Sequence, residues 1–213
     1  MISIAVPTGA LLDDSLALLR RSGVVDLSRE ELGRRLLVEL GRVRLVLIRP
    51  TDVAAYVEYG AVDLGIVGKD VIWESDGGFY ELVDLGFGGC ELVMAVPEPS
   101  PLGGPGTWPP SLRVASKYPR ATISYMRGLG QTVEVVPLHG SVELAPLVGL
   151  TDAIVDLTAT GRTLRENRLR IVASIARSTA RLIGNQVSLK TRFDAARDVV
   201  AAIREAAACE AAR

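Results

Sequence analysis

The sequence predicts an α/β fold with a largely parallel sheet, and three observations carry that reading. Short apolar runs of strand length recur at residues 2–6, 43–48, 62–67 and 153–156. Amphipathic stretches with helical spacing stand between them. Turn residues such as Pro7-Thr8-Gly9, Gly68-Lys69-Asp70 and Thr160-Gly161 mark the passage from strand to helix. A chain of 213 residues buries roughly 70% of its extended surface on folding, enough for one large domain or two small lobes.

Residues 2–6 read as the first strand. Leu11, Leu12, Ser15, Leu18 and Leu19 then recur at helical spacing, with Asp13 and Asp14 near the start and Arg20 and Arg21 near the end, where they complement the helix dipole. Gly23 is a stop. Ser28 and Glu31 make a capping box for a helix expected to carry Leu32, Leu36, Leu37 and Leu40. Residues 43–48 are the next strand, Pro50 opens a helix, and residues 62–67 are a strand ending in Gly68-Lys69-Asp70. Residues 91–96 form a further strand. After it Pro97, Pro99, Pro101, Pro105, Pro109 and Pro110 crowd among glycines into a loop expected to be an exposed insertion near a lobe crossing. Strands at residues 112–115, 132–137 and 153–156 follow, each trailed by a helix candidate, and residues 170–175 and 180–189 read as returning strands. The last helix, from Asp194 to about Ala212, sets Phe193, Ala196, Val200, Ile203 and Ala207 on one stripe and should pack back on the first lobe. No internal repeat is evident.

Composition narrows the function. The net charge is −1 and only Lys69, Lys117 and Lys190 are lysines, which argues against a general polyanion surface while leaving room for a local arginine site for small phosphates. The aromatic share of 5% leaves little for stacking nucleic-acid bases. Cys90 and Cys209 are too few and too separated for a disulfide scaffold or a zinc knuckle, so reduced thiols are expected. No basic-then-apolar leader precedes Ile2 and no apolar segment is long enough to span a bilayer, so a cytoplasmic protein without a membrane partner is expected. The mean hydropathy of +0.28 reflects strands broken by charges, with some of the excess available for subunit contacts.

The most informative stretch is Asp152-Ala-Ile-Val-Asp156-Leu-Thr158-Ala159-Thr160-Gly161-Arg162-Thr163-Leu. A buried strand breaks into a hydroxyl-rich turn where an acidic residue appears, and a helix follows. Backbone N–H groups and the Thr160 and Thr163 hydroxyls suit a phosphate, and Asp156 is placed to hold a sugar hydroxyl. No lysine follows the glycine, which excludes the P-loop of an ATPase. The plainer reading is a strand-to-helix turn with a threonine N-cap. Elsewhere, Arg49 ends a strand at Pro50, from which a guanidinium grips an anion bidentately, and Asp52 is placed to hold that arginine or cap the next helix. Asp70 ends the analogous strand, and Lys117 stands between a strand and Tyr118-Pro119.

The same stretch resembles the phosphoribosyl-pyrophosphate loop of the ATP phosphoribosyltransferase family. Further blocks match in the family's order: Arg49-Pro-Thr-Asp52 with Val57-Glu58, Asp63-Leu-Gly-Ile-Val-Gly68-Lys69-Asp70, Asp84-Leu-Gly-Phe-Gly88, Val114-Ala-Ser-Lys117-Tyr118-Pro119, and Gly140-Ser141-Val-Glu143-Leu-Ala-Pro-Leu-Val-Gly-Leu150. Ala180-Arg-Leu-Ile183-Gly-Asn185 and Ser188-Leu-Lys190 fit the close of its catalytic unit, and the length resembles the family's short form. The resemblance implies a two-lobed, type II periplasmic-binding-protein-like α/β fold with a cleft between the lobes, the first lobe being residues 1–92 plus 180–213 and the second residues 93–179.

It also implies a magnesium-dependent glycosyltransferase that condenses ATP with 5-phosphoribosyl 1-pyrophosphate in the first step of histidine biosynthesis. Ser141, Asp156, Thr158, Ala159, Thr160, Gly161, Arg162 and Thr163 would bind phosphoribosyl pyrophosphate, and Gly9, Arg49 and Asp70 would bind ATP. Arg49, Lys117 and Glu143 would act by electrostatics and positioning, and Mg2+ would be carried mainly by substrate phosphates, without a firm protein ligand. His139 lies nearby, but the resemblance assigns the work to its neighbours. The implied partners are a second catalytic copy and a regulatory subunit related to histidyl-tRNA synthetase, in a hetero-octamer. One departure stands out: Pro7-Thr8-Gly9-Ala10 replaces the family's usual Pro-Lys-Gly-Arg, so two cations are missing, and the segment 23–42 is compact. The competing readings are a two-lobed small-ligand-binding or sensing domain without catalysis, and a phosphoribosyltransferase with another nucleophile.

Overall fold

The computed structural model describes the backbone of residues 1–211 and side chains through residue 209. The chain divides into two compact units, Met1–Gly88 with the chain from Thr179 onward, and Gly89–Ser178. The divisions fall before the strand Cys90–Pro97 rather than at residue 92, because that whole strand pairs inside the second unit.

In the first unit the strands are β1 (Ile2–Pro7), β2 (Leu37–Leu40), β3 (Val43–Ile48), β4 (Leu64–Gly68) and β5 (Phe79–Asp84), with Ala180–Asn185 returning as a further strand. The helices are α1 (Leu12–Arg21), α2 (Arg29–Leu32), α3 (Pro50–Glu58) and α4 (Lys69–Glu74), then Gln186–Thr191 and Phe193–Ala211 near the C-terminus. Side chains of β1 alternate as a strand's period of two requires. Ile2, Ile4 and Val6 join Leu16, Leu19, Leu45 and Ile203 on one face of the sheet. Ala5 joins Val53, Val57, Val67 and Ile183 on the other.

In the second unit, β6 is Cys90–Pro97, β7 Arg113–Ser116, β8 Glu134–Pro137, β9 Ala153–Thr158 and β10 Leu169–Ser178, so the returning strand Ala180–Asn185 of the first unit is β11. Helix α5 is Pro119–Gly128 and α6 is Arg162–Glu166, which makes Gln186–Thr191 α7 and Phe193–Ala211 α8. The first sheet runs β2-β3-β1-β4-β11-β5 and the second β10-β6-β9-β7-β8.

Both sheets are mixed, not largely parallel. Strand β1 pairs in parallel with β3 and β4, and β7 with β8 and β9. The remaining ladders are antiparallel because β2 forms a hairpin with β3, β11 runs against β4 and β5, and β6 runs against both β9 and β10. The parallel cores follow the expected pattern, since a strand–helix–strand crossover generates them.

Four further expectations are corrected. The Ser28–Glu31 capping box forms, but its helix stops at Leu32, where Gly33 takes φ +59° and ψ −127°, and Leu37–Leu40 is a strand. Strand β8 is followed by a 3-10 turn, Val142–Leu144, and not by an α-helix. Strand β11 ends at Asn185, whose side-chain oxygen accepts the N–H groups of Val187 and Ser188 and so starts α7. The proline-rich loop is exposed at Pro99, Pro101, Pro105, Pro109 and Pro110, as expected, but it is pinned at two points: Trp108 is buried and donates its indole N–H to Gly103, and Arg170 donates to the Ser100 carbonyl at 3.1 Å. Helix α8 packs on α1 and β5 through Ala196, Val200, Ile203 and Ala207, as its stripe requires, whereas Phe193 is exposed. Ala212 lies outside the described residues. Among the described residues no helix is long and apolar enough to cross a membrane.

Candidate active site

The parallel ladders set where chemistry can gather. In open α/β sheets, ligands bind beyond the carboxyl ends of the strands. In the second unit Ser116 pairs in register with Pro137 of β8 and with Val155 of β9. The residues beyond those pairs lie toward one edge: Lys117 just after β7, the 139–143 segment after β8, and Asp156 in the last half of β9, ahead of the turn that follows Thr158.

Lys117 is exposed and makes no ion pair among the described residues. Asp156 is half-buried, and its carboxylate accepts the Leu157 N–H at 2.9 Å. Burial pushes the Asp156 carboxyl above the usual carboxylate range and the Glu143 charge adds to this, while the Leu157 bond and the Lys117 ammonium oppose it. Lys117 and Glu143 thus both act on the Asp156 carboxyl. Ser141 is exposed and holds φ +46°, a left-handed conformation that costs a non-glycine residue about 1–2 kcal/mol. Such strain gathers at ligand sites. His139 is exposed beside it.

The turn after β9 is tightly organised. The Thr158 hydroxyl accepts the Gly161 N–H at 2.7 Å, and Gly161 takes φ +69° as the N-cap of α6. The threonine N-cap is therefore replaced by a glycine whose conformation a side chain would strain. Ala159, Thr160 and Thr163 are exposed, and the Thr160 hydroxyl lies 3.4 Å from the Arg162 N–H. Arg162 itself turns along the surface, its Nε donating to Glu166 at 2.8 Å, which leaves its backbone as its contribution to the turn.

The first unit repeats the arrangement. Pro7 pairs with Ile48, so Gly9, with φ +83°, and Arg49 follow the ends of β1 and β3, while Asp70 follows β4 in the first turn of α4. Arg49 is the exposed N-cap of α3 and makes no ion pair among the described residues. Asp52 does not hold it, because the Asp52 carboxylate accepts from Thr51. The Asp70 carboxylate folds over Gly68, where a Cβ would stand 2.2 Å from its Oδ1. Thr8 and Ala10 add no charge to this edge, so Arg49 is its exposed cation without an ion pair among the described residues.

Other groups were not anticipated from sequence. Lys69, Glu81, Arg181 and Asp84 form a chain of ion pairs at the same edge, with Arg181 Nε 3.4 Å from Glu81, and Thr179 donates its hydroxyl to Asp84 at 2.8 Å. Burial raises the Asp84 carboxyl, but the Thr179 and Gly86 hydrogen bonds and Arg181 overcome it and leave it below the usual range. In the second unit Ser116 and Thr122 are fully buried hydroxyls beside Lys117. Periodicity marks none of these, because buried polar partners come from residues far apart in sequence. A cavity of about 590 Å³ lined by Ser3, Arg44, Arg192 and Phe193 lies at the opposite, amino edge of the first sheet. There Arg44 and Arg192 are already paired with Glu39 and Asp63, so the candidate chemistry belongs to the carboxyl edges.

Exposed hydroxyls, a glycine turn and an exposed cation beyond parallel strands are an arrangement that suits a phosphate in an α/β protein. Comparison with known proteins supplies the family. Residues 49–205 match the family model of HisG, ATP phosphoribosyltransferase. The ATP phosphoribosyltransferase of Rubrobacter xylanophilus is 47% identical over 204 residues, 95% of this chain and 94% of the relative. That of Caldanaerobacter subterraneus subsp. tengcongensis is 40% identical over 207 residues, 96% of this chain and 97% of the relative. The chain belongs to the ATP phosphoribosyltransferase family. Among solved structures it is similar to the ATP phosphoribosyl transferase (HisG:HisZ) complex from Thermotoga maritima, with a TM-score of 0.81, 32% identity and coverage of 97% of this chain and 98% of that one. The alkanesulfonate-binding protein SsuA of Xanthomonas axonopodis pv. citri shares 14% identity at a TM-score of 0.60, over 96% of this chain and 72% of that one. That likeness shows the two-lobed periplasmic-binding-protein-like fold alone, and family membership decides against a passive binding domain.

Proposed function

We propose that the carboxyl edge of the second sheet holds phosphoribosyl pyrophosphate and that of the first sheet receives ATP, in an enzyme that joins the two as phosphoribosyl-ATP and releases pyrophosphate in the first step of histidine biosynthesis. The observation that carries this division is the grouping of Lys117, Glu143 and Asp156 beside the Thr158–Gly161 turn. The displacement at the ribose anomeric carbon by an adenine ring nitrogen needs alignment and charge neutralisation more than covalent help. Thr160, Thr163 and the backbone of Ala159, Gly161 and Arg162 cradle the 5-phosphate. Asp156 accepts from ribose hydroxyls, Ser141 and Glu143 complete the ribose site, and Lys117 neutralises pyrophosphate. Arg49, with Gly9 and Asp70, holds ATP.

Family membership carries magnesium dependence with it. Among the described residues no group of three or more His, Cys, Asp or Glu stands ready to hold a metal. Glu143 and Asp156 supply two carboxylates, a donor set that suits Mg2+ keeping water and substrate oxygens as its other ligands. Bound there, the ion supplies charge stabilisation for departing pyrophosphate. Both substrates are metabolites of the cytoplasm, where we place the enzyme. The Thermotoga relative was solved as a HisG:HisZ complex, which supports association with a HisZ-like subunit. On the family resemblance alone, we propose that this subunit is related to histidyl-tRNA synthetase, joins a catalytic dimer in a hetero-octamer and transmits inhibition by histidine. The test is pyrophosphate release from phosphoribosyl pyrophosphate with ATP and a panel of other purines, with and without that subunit, alongside measurement of particle size. ATP-dependent release that rises with the subunit is expected. Turnover with another purine but not ATP, or none under any condition, would overturn the assignment.

A further inference from the structure

We infer that Ser116 is a positioning residue for the transfer, its hydroxyl fixing Lys117 and Asp156 relative to one another. The inference rests on the reading that those two residues hold phosphoribosyl pyrophosphate. Ser116 ends β7 and is completely buried. Its O–H donates to the Val155 carbonyl of β9 at 2.7 Å, and its Oγ accepts the Tyr118 N–H at 2.9 Å. Val155 immediately precedes Asp156, and Tyr118 immediately follows Lys117. One hydroxyl therefore links β7 and β9 at the level where Lys117 leaves the first and Asp156 stands within the second.

The surroundings hold that hydroxyl in turn. Thr122, also fully buried, places its Oγ1 3.2 Å from Ser116 Oγ and donates to the Tyr118 carbonyl at 2.7 Å. A serine offers one donor and two acceptor positions, and both kinds are used here. The need for such a clamp follows from Lys117, which makes no ion pair among the described residues. An ammonium without a protein partner takes its placement from its backbone, and that backbone leaves the sheet at this residue. An alanine at position 116 would fill the space but leave the Val155 carbonyl and the Tyr118 N–H without this partner, freeing the turn to shift.

The test compares wild type, Ser116→Ala, Ser116→Thr and Thr122→Val in the assembled enzyme. Ser116→Ala should raise KM for phosphoribosyl pyrophosphate about tenfold, as expected for a sub-ångström misplacement, while KM for ATP changes less than about twofold. Ser116→Thr, which restores the hydroxyl, should recover most of that loss, and Thr122→Val should shift the same constant by about threefold. A wild-type enzyme without ATP-dependent turnover would remove the functional reading itself. With wild type active, a Ser116→Ala variant that loses only thermal stability, or weakens both substrates equally, overturns the positioning role. If Ser116→Ala fails to fold, Thr122→Val decides: a selective shift supports the clamp, and unchanged constants overturn it.

Discussion

Lys117 and Asp156 follow a register pair: Ser116 and Val155 face each other across the β7–β9 parallel ladder, and each charged residue comes next in sequence, Lys117 just past β7 and Asp156 still within β9. The ammonium draws the Asp156 carboxyl toward its charged form, yet burial is the stronger influence and, with Glu143, leaves it harder to ionise than an ordinary carboxyl. Keeping such a group ionised costs the fold stability.

Asp156→Asn should accordingly separate stability from activity. A carboxyl whose folded pKa is raised stabilises the fold fully below its unfolded value, about 4, and that contribution is lost as pH rises through the folded value. At pH 7 wild type carries the cost of the buried charge and the asparagine variant does not. The variant should melt higher at pH 7, and the gain should shrink as pH falls toward 4. Its kcat/KM for phosphoribosyl pyrophosphate should fall by about tenfold to hundredfold, the worth of a charge-assisted hydrogen bond. A variant that melts lower at pH 7 would contradict the reading of Asp156.

In the adjoining turn, hydroxyl and backbone contributions can be told apart. Thr160 is exposed, so Thr160→Val should raise KM for phosphoribosyl pyrophosphate by about tenfold to hundredfold with little effect on ATP. Gly161→Ala acts differently. Gly161 sits at φ +69°, and a Cβ there would stand 3.0 Å from Arg165 Nη1. The left-handed conformation alone costs alanine about 1–2 kcal/mol, so this variant should lose both stability and affinity for the same substrate. Unchanged binding of that substrate by both variants, measured by calorimetry, would place the 5-phosphate elsewhere.

The loop after β1 tests the first sheet's edge. Thr8 donates its N–H to the Ile48 carbonyl at 2.8 Å, which ties the loop beside Arg49. With neither Thr8 nor Ala10 charged, Thr8→Lys should tighten ATP by about threefold to tenfold, more at low salt than high, since exposed charges are screened over about 10 Å at 0.1 M. An ATP constant that ignores both the substitution and the salt would show that the triphosphate does not approach this loop.

The parts of the fold legible in the sequence were those written in local pattern. The parallel core strands, the Ser28–Glu31 box and the Pro50 helix start each declare themselves within a few residues. Leu37–Leu40 did not, because its spacing fits a helix as well as a strand and its state is decided by pairing with Val43–Val46. Strand β5 likewise draws its state from β11, about a hundred residues further along the chain. At the site, the Asp156 to Thr163 turn showed its hydroxyls and glycine, but not that Arg162 would turn to Glu166 or that Thr158 would brace Gly161. The Ser116 clamp and the Arg181 ion-pair chain are tertiary facts with no local signature.

Asp63 offers a control at the opposite edge of the first sheet. It is buried, accepts the Ser3 N–H and O–H at 2.8 Å each, and receives Arg192 Nη1 at 2.9 Å on both oxygens. Burial alone would raise its carboxyl, but the hydrogen bonds from Ser188 and Ser3 and the Arg192 charge overcome it and hold it below the usual range. For a lowered carboxyl the sign reverses: its stabilisation is present above the ordinary carboxylate pKa and is lost as pH falls through the folded value. Asp63→Asn should therefore cost about 1–3 kcal/mol at pH 7, less than a fully buried ion pair because Arg192 is half-exposed. On a chain of this size that lowers Tm by about 3–10 °C. The deficit should narrow below pH 4 as wild type loses the same contribution, and both Michaelis constants should stay within about twofold of wild type, since the carboxyl edges are untouched. Denaturation profiles from pH 3 to pH 8 with parallel kinetics provide the check. A deficit that is constant across that range, or a selective loss of one substrate, would mean that Asp63 acts on the site and not only on the fold.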